Sequence, residues 1–417
     1  MKRINQIFER LASSALKAVP LAIFLGGAFS SSRMALAQVE WPTAPLNALH
    51  TSVRWSPGAN PDSAGQFVGG ATIPMSTFTR TATKDGNAYT STIVGTSPFA
   101  TPLTGTTIDA IVVPLVFTTG SLTFDPAIGD LCDGNVSALT RFFNSPLSNS
   151  VPLTMEGINV GNTQFINGFR RAEFWKTING NPNYQNTINF QIAPPVTILG
   201  APITTLPETY NNCPTTLGII PGGVLQGILE NSVIPARTSS NQFVIFLLHN
   251  VVQSANVGYV LGFHGAFGSP VRTYAVVDWD TTSAFGPSAA DGSVASHEMA
   301  EWMDDPLGTN PTPAWGKLGQ VQPMPDNPSG CANTWEAGDP LTGKLMPPMM
   351  VPSDYYKYPY HMQELAFFSF FFNSPTDPSV GASYYIYKQG TFSSNGSFLA
   401  AANACPPGGL APFGGKW

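Results

Sequence analysis

A chain with 40 glycines and 38 prolines among 417 residues must spend much of its length in loops and turns, because both residue types interrupt regular backbone structure. SVASHEMAEWMDDPLG, residues 293–308, is free of both until Pro306 and places His297, Glu298 and Glu301 within about one helical turn. Together with the apolar runs that precede it, this segment leads us to expect an α+β fold. In that fold a mixed sheet packs against the His297 helix and a second helix near Phe165, after a loop-rich N-terminal arm.

The first residues carry a basic start, an apolar run from Ala18 to Phe29 and the small-residue site Ala35-Leu36-Ala37. This layout is that of a secretory signal peptide, and its apolar run is too short for a permanent span. The expected organisation is a signal peptide over 1–37, a loop-rich arm over 38–102, a β-rich region with an amphipathic helix over 103–235, and a metal-site region with an aromatic C-terminal part over 236–417. A secreted or periplasmic location follows, with no membrane span. A net charge of -6 without a basic run argues against nucleic acid and anionic membranes as partners. Cys132, Cys213, Cys331 and Cys405 are spaced for two disulfides in one of three pairings, and the lack of C-x-x-C argues against thiolate-held zinc.

Local patterns place the elements. IDAIVVPLVF, Ile108 to Phe117, reads as a buried strand, as do Phe243 to Leu248 and Tyr274 to Val277. TQFINGFRRAEFW sets Phe165, Phe169 and Ala172 at helical spacing, with Arg170, Arg171 and Glu173 on a solvated face. GFHG, Gly262 to Gly265, is expected in a glycine-rich loop. Asp291 or Ser293 is expected to cap the His297 helix, which should end near Asp304 because Pro306 disfavours helical geometry at Asp305. The dense aromatics of YYKYPYHMQELAFFSFFF are expected mainly in the core.

On a helix His297 and Glu301 share a face, while Glu298 sits about 100° round the axis. A divalent metal can take an imidazole nitrogen and a carboxylate oxygen from that face, leaving Glu298 to act on a bound water. This is the logic of H-E-x-x-H with glutamate in place of the second histidine, a harder donor set in which zinc leads and calcium is the alternative. Asp305 offers a third ligand at the helix end. Glu336 and Asp339, in NTWEAGDPL, resemble the arrangement in a family of zinc hydrolases whose distant glutamate is the third ligand and whose following aspartate orients the histidine. His264 is a further candidate.

SHEMAEWMDDPLG, followed by Trp315 and E-A-G-D, resembles bacterial secreted zincin-like proteins of the S-H-E-[LFI]-A-E-x-x-x-D-P type. The runs FVIFLL, GFHG, TYAVV and TQFINGFRRAEFW, and a Gln363-Glu364 helix, follow the same order from about Ile108. GFHG and the helix-to-DP segment are more distantly similar to plant EXORDIUM-like phosphate-induced proteins. Leu261 replaces a cysteine common before GxH, and Pro340-Leu341 replace the usual residue and cysteine after E-x-x-D. The resemblance implies a zincin-like site.

The expected function is metal-assisted hydrolysis of a peptide or protein substrate, with His297, Glu301 and either Glu336 or Asp305 holding the ion and Glu298 as base. The rival is a non-catalytic extracellular protein, associated with cell-wall polymer, whose acids hold a structural cation or none.

Overall fold

The computed structural model describes residues 38–40, 72–210, 213–254, 259–286, 289, 291–316, 331–374 and 379–387. The signal-peptide region, most of the N-terminal arm up to residue 71 and Cys405 lie outside these residues, and Cys331 is described by its backbone alone.

The long β-branched run forms strand β1, Thr106–Thr119, the spine of the largest sheet. Strands β2 (Asn186–Ile192) and β3 (Val196–Leu199) run parallel along successive parts of one of its edges. On the other edge β4 (Phe243–His249) is parallel to β1 and to β6 (Arg272–Trp279). The GFHG segment completes this side as β5 (Gly262–Phe267), antiparallel to β6, with His264 opposite Ala275. It is a strand rather than the expected loop, since its main-chain groups find partners along β6.

Side-chain alternation divides the core. Val112, Ile245, Leu247, Ala275 and Val277 face a cluster that includes Phe165 and Phe169 of helix α1 (Phe165–Glu173) and Met299 and Trp302 of helix α2 (Ser293–Asp304). Ile111, Val113, Val244, Phe246 and Val276 face the opposite cluster, with Leu225, Leu229 and Ile234 of a short helical segment. Strands covered on both faces read as unbroken apolar runs, which is how β1, β4 and β6 stand out in the sequence. Trp302 fixes the seat of α2. Its ring stacks on Phe243 at 3.5 Å between centroids, and its Nε1 donates to Thr273 Oγ1 at 2.9 Å.

The expected α+β class is overturned: the molecule is mostly β, with about 40% strand against 19% helix, spread over many small sheets. Five two-stranded sheets surround the largest sheet and a four-stranded one among the described residues. One is the hairpin Met75–Thr81/Ala88–Val94, built from Thr-rich alternating segments. Glycine and proline leave many segments too short for a helix yet long enough to pair as ribbons. The Gln363-Glu364 segment is likewise no helix, for Gln363 forms an isolated antiparallel bridge with Leu345. The aromatic run does enter the core: Phe367, Phe368, Phe370, Phe371 and Phe372 are buried, and Trp335 lies against Phe368 at 5.2 Å.

Helix α1 departs from expectation on its polar side. Arg170, Arg171 and Glu173 are buried, not solvated. Arg171 donates to the carbonyls of Val160 and Asn181 at 2.7 and 2.9 Å. Arg170 pairs with Asp304 at 2.6 Å and donates to the Met303 carbonyl at the end of α2, while Glu173 Oε1 accepts from Phe368 N at 2.7 Å. Burial pushes the Asp304 carboxyl up to about 7 even against the pull of Arg170. Burial and the nearby Asp304 charge push Glu173 well above the carboxylate range. A disulfide joins Cys132 to Cys213, as expected of an oxidising compartment. No helix among the described residues is long and apolar enough to cross a membrane.

Removing one member of a buried ion pair strands the other. Asp304→Ala should therefore lower unfolding stability by about 3–5 kcal/mol, measured by urea denaturation; a loss under about 1 kcal/mol would show that Arg170 does not depend on this partner.

Candidate metal centre

Three parts of the chain supply the centre. Helix α2 brings His297, Glu298 and Glu301, β5 brings His264, and the loop after Trp335 brings Glu336, Gly338 and Asp339. The helix starts at Ser293 with Gly292 at the N-cap and no side-chain cap. Asp291 is engaged elsewhere, accepting from His361 N and pairing with His361 Nδ1, both at 2.8 Å. The helix ends at Asp304, as Pro306 requires.

The i, i+4 spacing brings His297 Nε2 to 3.0 Å from Glu301 Oε1. Asp339 Oδ1 lies 3.8 Å and Glu298 Oε1 4.0 Å from the same nitrogen. The other Glu301 oxygen serves the second imidazole, whose Nδ1 is 3.6 Å from both Glu301 Oε2 and Glu298 Oε2. Two groups could each hold a metal ion: His297, Glu301 and Asp339, or His264, Glu298 and Glu301. Ligand atoms about 2.0–2.2 Å from a tetrahedral ion stand about 3.3–3.6 Å apart, so both sets lie near coordination geometry.

Each ring is held by its other nitrogen. Gln363 Nε2 donates to the Gly338 carbonyl at 2.6 Å, which leaves its Oε1 to accept from His297 Nδ1 at 3.1 Å. His264 Nε2 donates to the Asp305 carbonyl at 3.1 Å. In both rings the nitrogen aimed at Glu301 is thus the one available to a cation. Glu301 Oε1 also accepts from the amides of Gly338 and Asp339 at 3.1 and 3.2 Å. Two glycines allow this closeness. A Cβ on Gly338 would stand 2.5 Å from the His297 ring, and one on Gly262 would stand 2.9 Å from Glu298.

Burial disfavours both imidazolium ions, yet the carboxylates win. Glu301 and Glu298 raise His297 to about 10, and the same two acids raise His264 well above its usual range. Glu301, despite burial, is pulled below the carboxylate range by His297 and His264. Burial raises Glu298, with both histidines opposing. Burial and the Glu301 charge raise Glu336 far more. Without a metal, protons on the rings therefore provide the positive charge that the acids demand.

The expected third ligands are placed differently. Asp305 turns its carboxylate away, accepting from Thr309 N and Asn310 N at 2.9 and 3.0 Å, so it closes the turn after α2. Glu336 Oε2 lies 3.9 Å from His264 Nε2, shielded and without a hydrogen-bond partner among the described residues. Asp339, expected beside the ligating ring, has its oxygen on the cation side of that ring instead. Sequence reasoning missed the tasks of Gln363 and of the two glycines. Gln363 lies 66 residues from His297 and gives no local signal, whereas both glycines sit inside motifs already singled out.

Comparisons of the chain with protein-family models, with curated proteins and with solved structures find no significant match.

Groups that orient a ligating histidine are worth about 10–100-fold in metal affinity. Gln363→Leu should weaken zinc binding by about that factor in calorimetric titration while the far-ultraviolet circular dichroism stays native; unchanged affinity would deny Gln363 this role.

Proposed function

We propose that the chain is an exported metal-dependent hydrolase, peptidase-like in chemistry, in which Glu298 acts as the general base. The observation that supports this reading most is the convergence on Glu301 of two oriented imidazoles from separate elements, with Glu298 beside both. The donors fit a metal by their chemistry: nitrogen and oxygen atoms, no sulfur, and rings held with one nitrogen toward the acids. Zinc suits imidazole with carboxylates best. In this reading His297, Glu301 and Asp339 hold the ion, which when bound polarises the scissile carbonyl and lowers the cost of deprotonating water.

The chain's own residues carry the rest. Glu298, buried and with its proton affinity raised, is suited to take a proton from the attacking water and pass it to the leaving amine. His264 Nδ1 faces Glu298 while the Asp305 carbonyl holds its far nitrogen, so it fixes the orientation of that base. The amides of Gly338 and Asp339 keep Glu301 in place. The likeness to secreted zincin-like proteins, the leader-like N-terminus and the disulfide agree with this reading. The burial of most of the C-terminal aromatics weakens the rival, a wall-binding platform.

The second grouping, with Glu298 as a ligand, predicts a different mutant. Glu298→Gln should abolish peptide hydrolysis, by about 100-fold or more for a lost general base, while zinc content measured by elemental analysis stays at the wild-type level. Retained turnover would overturn the base assignment, and loss of zinc would move Glu298 into the ligand set.

A further inference from the structure

The candidate centre holds more carboxylate than one divalent ion uses. Glu298, Glu301, Glu336 and Asp339 each place an oxygen within 4.0 Å of one of its two imidazoles. An ion held by His297, Glu301 and Asp339 leaves His264 and Glu298 outside its shell, and these two form the other grouping, again with Glu301. Glu301 meets each ring with a different oxygen: Oε1 stands 3.0 Å from His297 Nε2, and Oε2 stands 3.6 Å from His264 Nδ1. Glu298 Oε2 stands 3.6 Å from the same His264 nitrogen. Both spacings around His264 match the ~3.3–3.6 Å between ligand atoms of a tetrahedral ion. The three side chains are at most 7% exposed.

The His264 ring is set for this role from its far side. Its Nε2 lies 3.1 Å from the Asp305 carbonyl oxygen, which can only accept, so Nε2 carries a hydrogen and the neutral ring keeps its lone pair on Nδ1. That lone pair faces two carboxylate oxygens, and a positive charge has to lie between them. A proton on Nδ1 would reach its acceptors over 3.6 Å, longer than an ordinary hydrogen bond. An ion about 2.0–2.2 Å from each atom fills the same spacing in its usual geometry. Two-metal sites hold their ions about 3.5–4 Å apart, a separation that Glu301 can span with one oxygen on each. Repulsion between the two dications makes the second the weaker.

We propose that His264, Glu298 and Glu301 form a second, weaker zinc site, and that an ion there arrests the hydrolase by occupying its base. The arrest rests on the hydrolase reading of Glu298, whereas the site itself follows from the geometry. A dication on Glu298 Oε2 lowers the proton affinity of the whole carboxylate, so its other oxygen no longer takes a proton from water. His264, which otherwise orients the base, becomes the ligand that locks it. Excess zinc thus turns the chain off, and its removal restores turnover.

The test titrates the full exported chain, stripped with chelator, with zinc chloride in a calorimeter and follows cleavage of a peptide mixture in parallel. The wild type should take up two equivalents, the second weaker. Turnover should rise with the first and fall by about tenfold or more as the second fills, as expected when a general base is tied up. His264→Leu and Glu298→Gln should each lose the weaker equivalent and keep the tighter one. Should one variant fail to fold by circular dichroism, the other decides. A single equivalent in the wild type, or a second that survives either change, would overturn the site. Turnover that stays level while the second equivalent binds would overturn the arrest. No turnover at any zinc level would instead sink the hydrolase reading, and the titration would still decide the site.

Discussion

The ion pair between Arg170 and Asp304 is the contact on which the rest of the arrangement depends. It joins α1 to the last residue of α2 with both side chains fully buried, and the same guanidinium takes the Met303 carbonyl. A cation at a helix C-terminus meets carbonyls that have no intrahelical partner and the negative end of the dipole. Glu173 extends the contact to the aromatic segment through Phe368 N. Burial and the nearby Asp304 charge raise Glu173 well above the carboxylate range, which limits the negative charge set against Arg170 and makes the burial tolerable. The end of α2 is therefore fixed, and Asp305 leaves it in a defined direction with its carbonyl toward His264.

That fixed end gives the candidate centre its geometry. One helix supplies three of its polar groups, but a helix can aim only residues three or four apart at a common point. The remaining groups come from β5 and from the loop after Trp335, and these must approach more closely than side chains normally allow. Gly262 and Gly338 make that approach feasible, each standing where a methyl would strike Glu298 or His297. The loop is held in turn by Gln363, through the Gly338 carbonyl, and by Glu301, through two amides. Glu301 is thus both a member of the donor set and the anchor of the loop that completes it.

What the sequence made legible was whatever is local. The pairing of His297 with Glu301 follows from helical spacing, and β1, β4 and β6 follow from apolar runs whose length suits a strand covered on both faces. The stop at Asp304 follows from Pro306. Contacts between distant segments were not legible. Arg170 and Glu173 read as a solvated face because Asp304, which neutralises the arginine, lies 134 positions away from it. His264 read as a loop residue because glycines flank it, although the pairing of β5 with β6 makes that segment a strand. The Asp305 carboxylate closes the turn after α2, and Asp339 stands among the groups that could hold an ion, because a loop's direction is set by what it packs on, not by its composition. The α+β expectation failed for a related reason. Helices announce themselves by period, whereas ribbons such as Met75–Thr81/Ala88–Val94 carry their register in a partner strand.

The chain's net charge of -6 acquires meaning from where the charges sit. Among the described residues, ten acidic side chains are buried against four arginines. Surface acids would cost little and mean little, but buried ones must each find a hydrogen-bond donor, a proton or a cation. Asp291, Asp305 and Asp354 find main-chain donors, and Asp304 finds Arg170. The acids around Glu301 draw on His297 and His264 for positive charge, while burial holds Asp278 and Asp280 above the usual carboxylate range. Protonation can restore neutrality, and at the candidate centre it places protons on the very ring nitrogens that Gln363 and the Asp305 carbonyl orient toward the carboxylates. The group around Glu301 is thus one that a divalent cation could also satisfy, through the same oriented ring nitrogens and carboxylate oxygens.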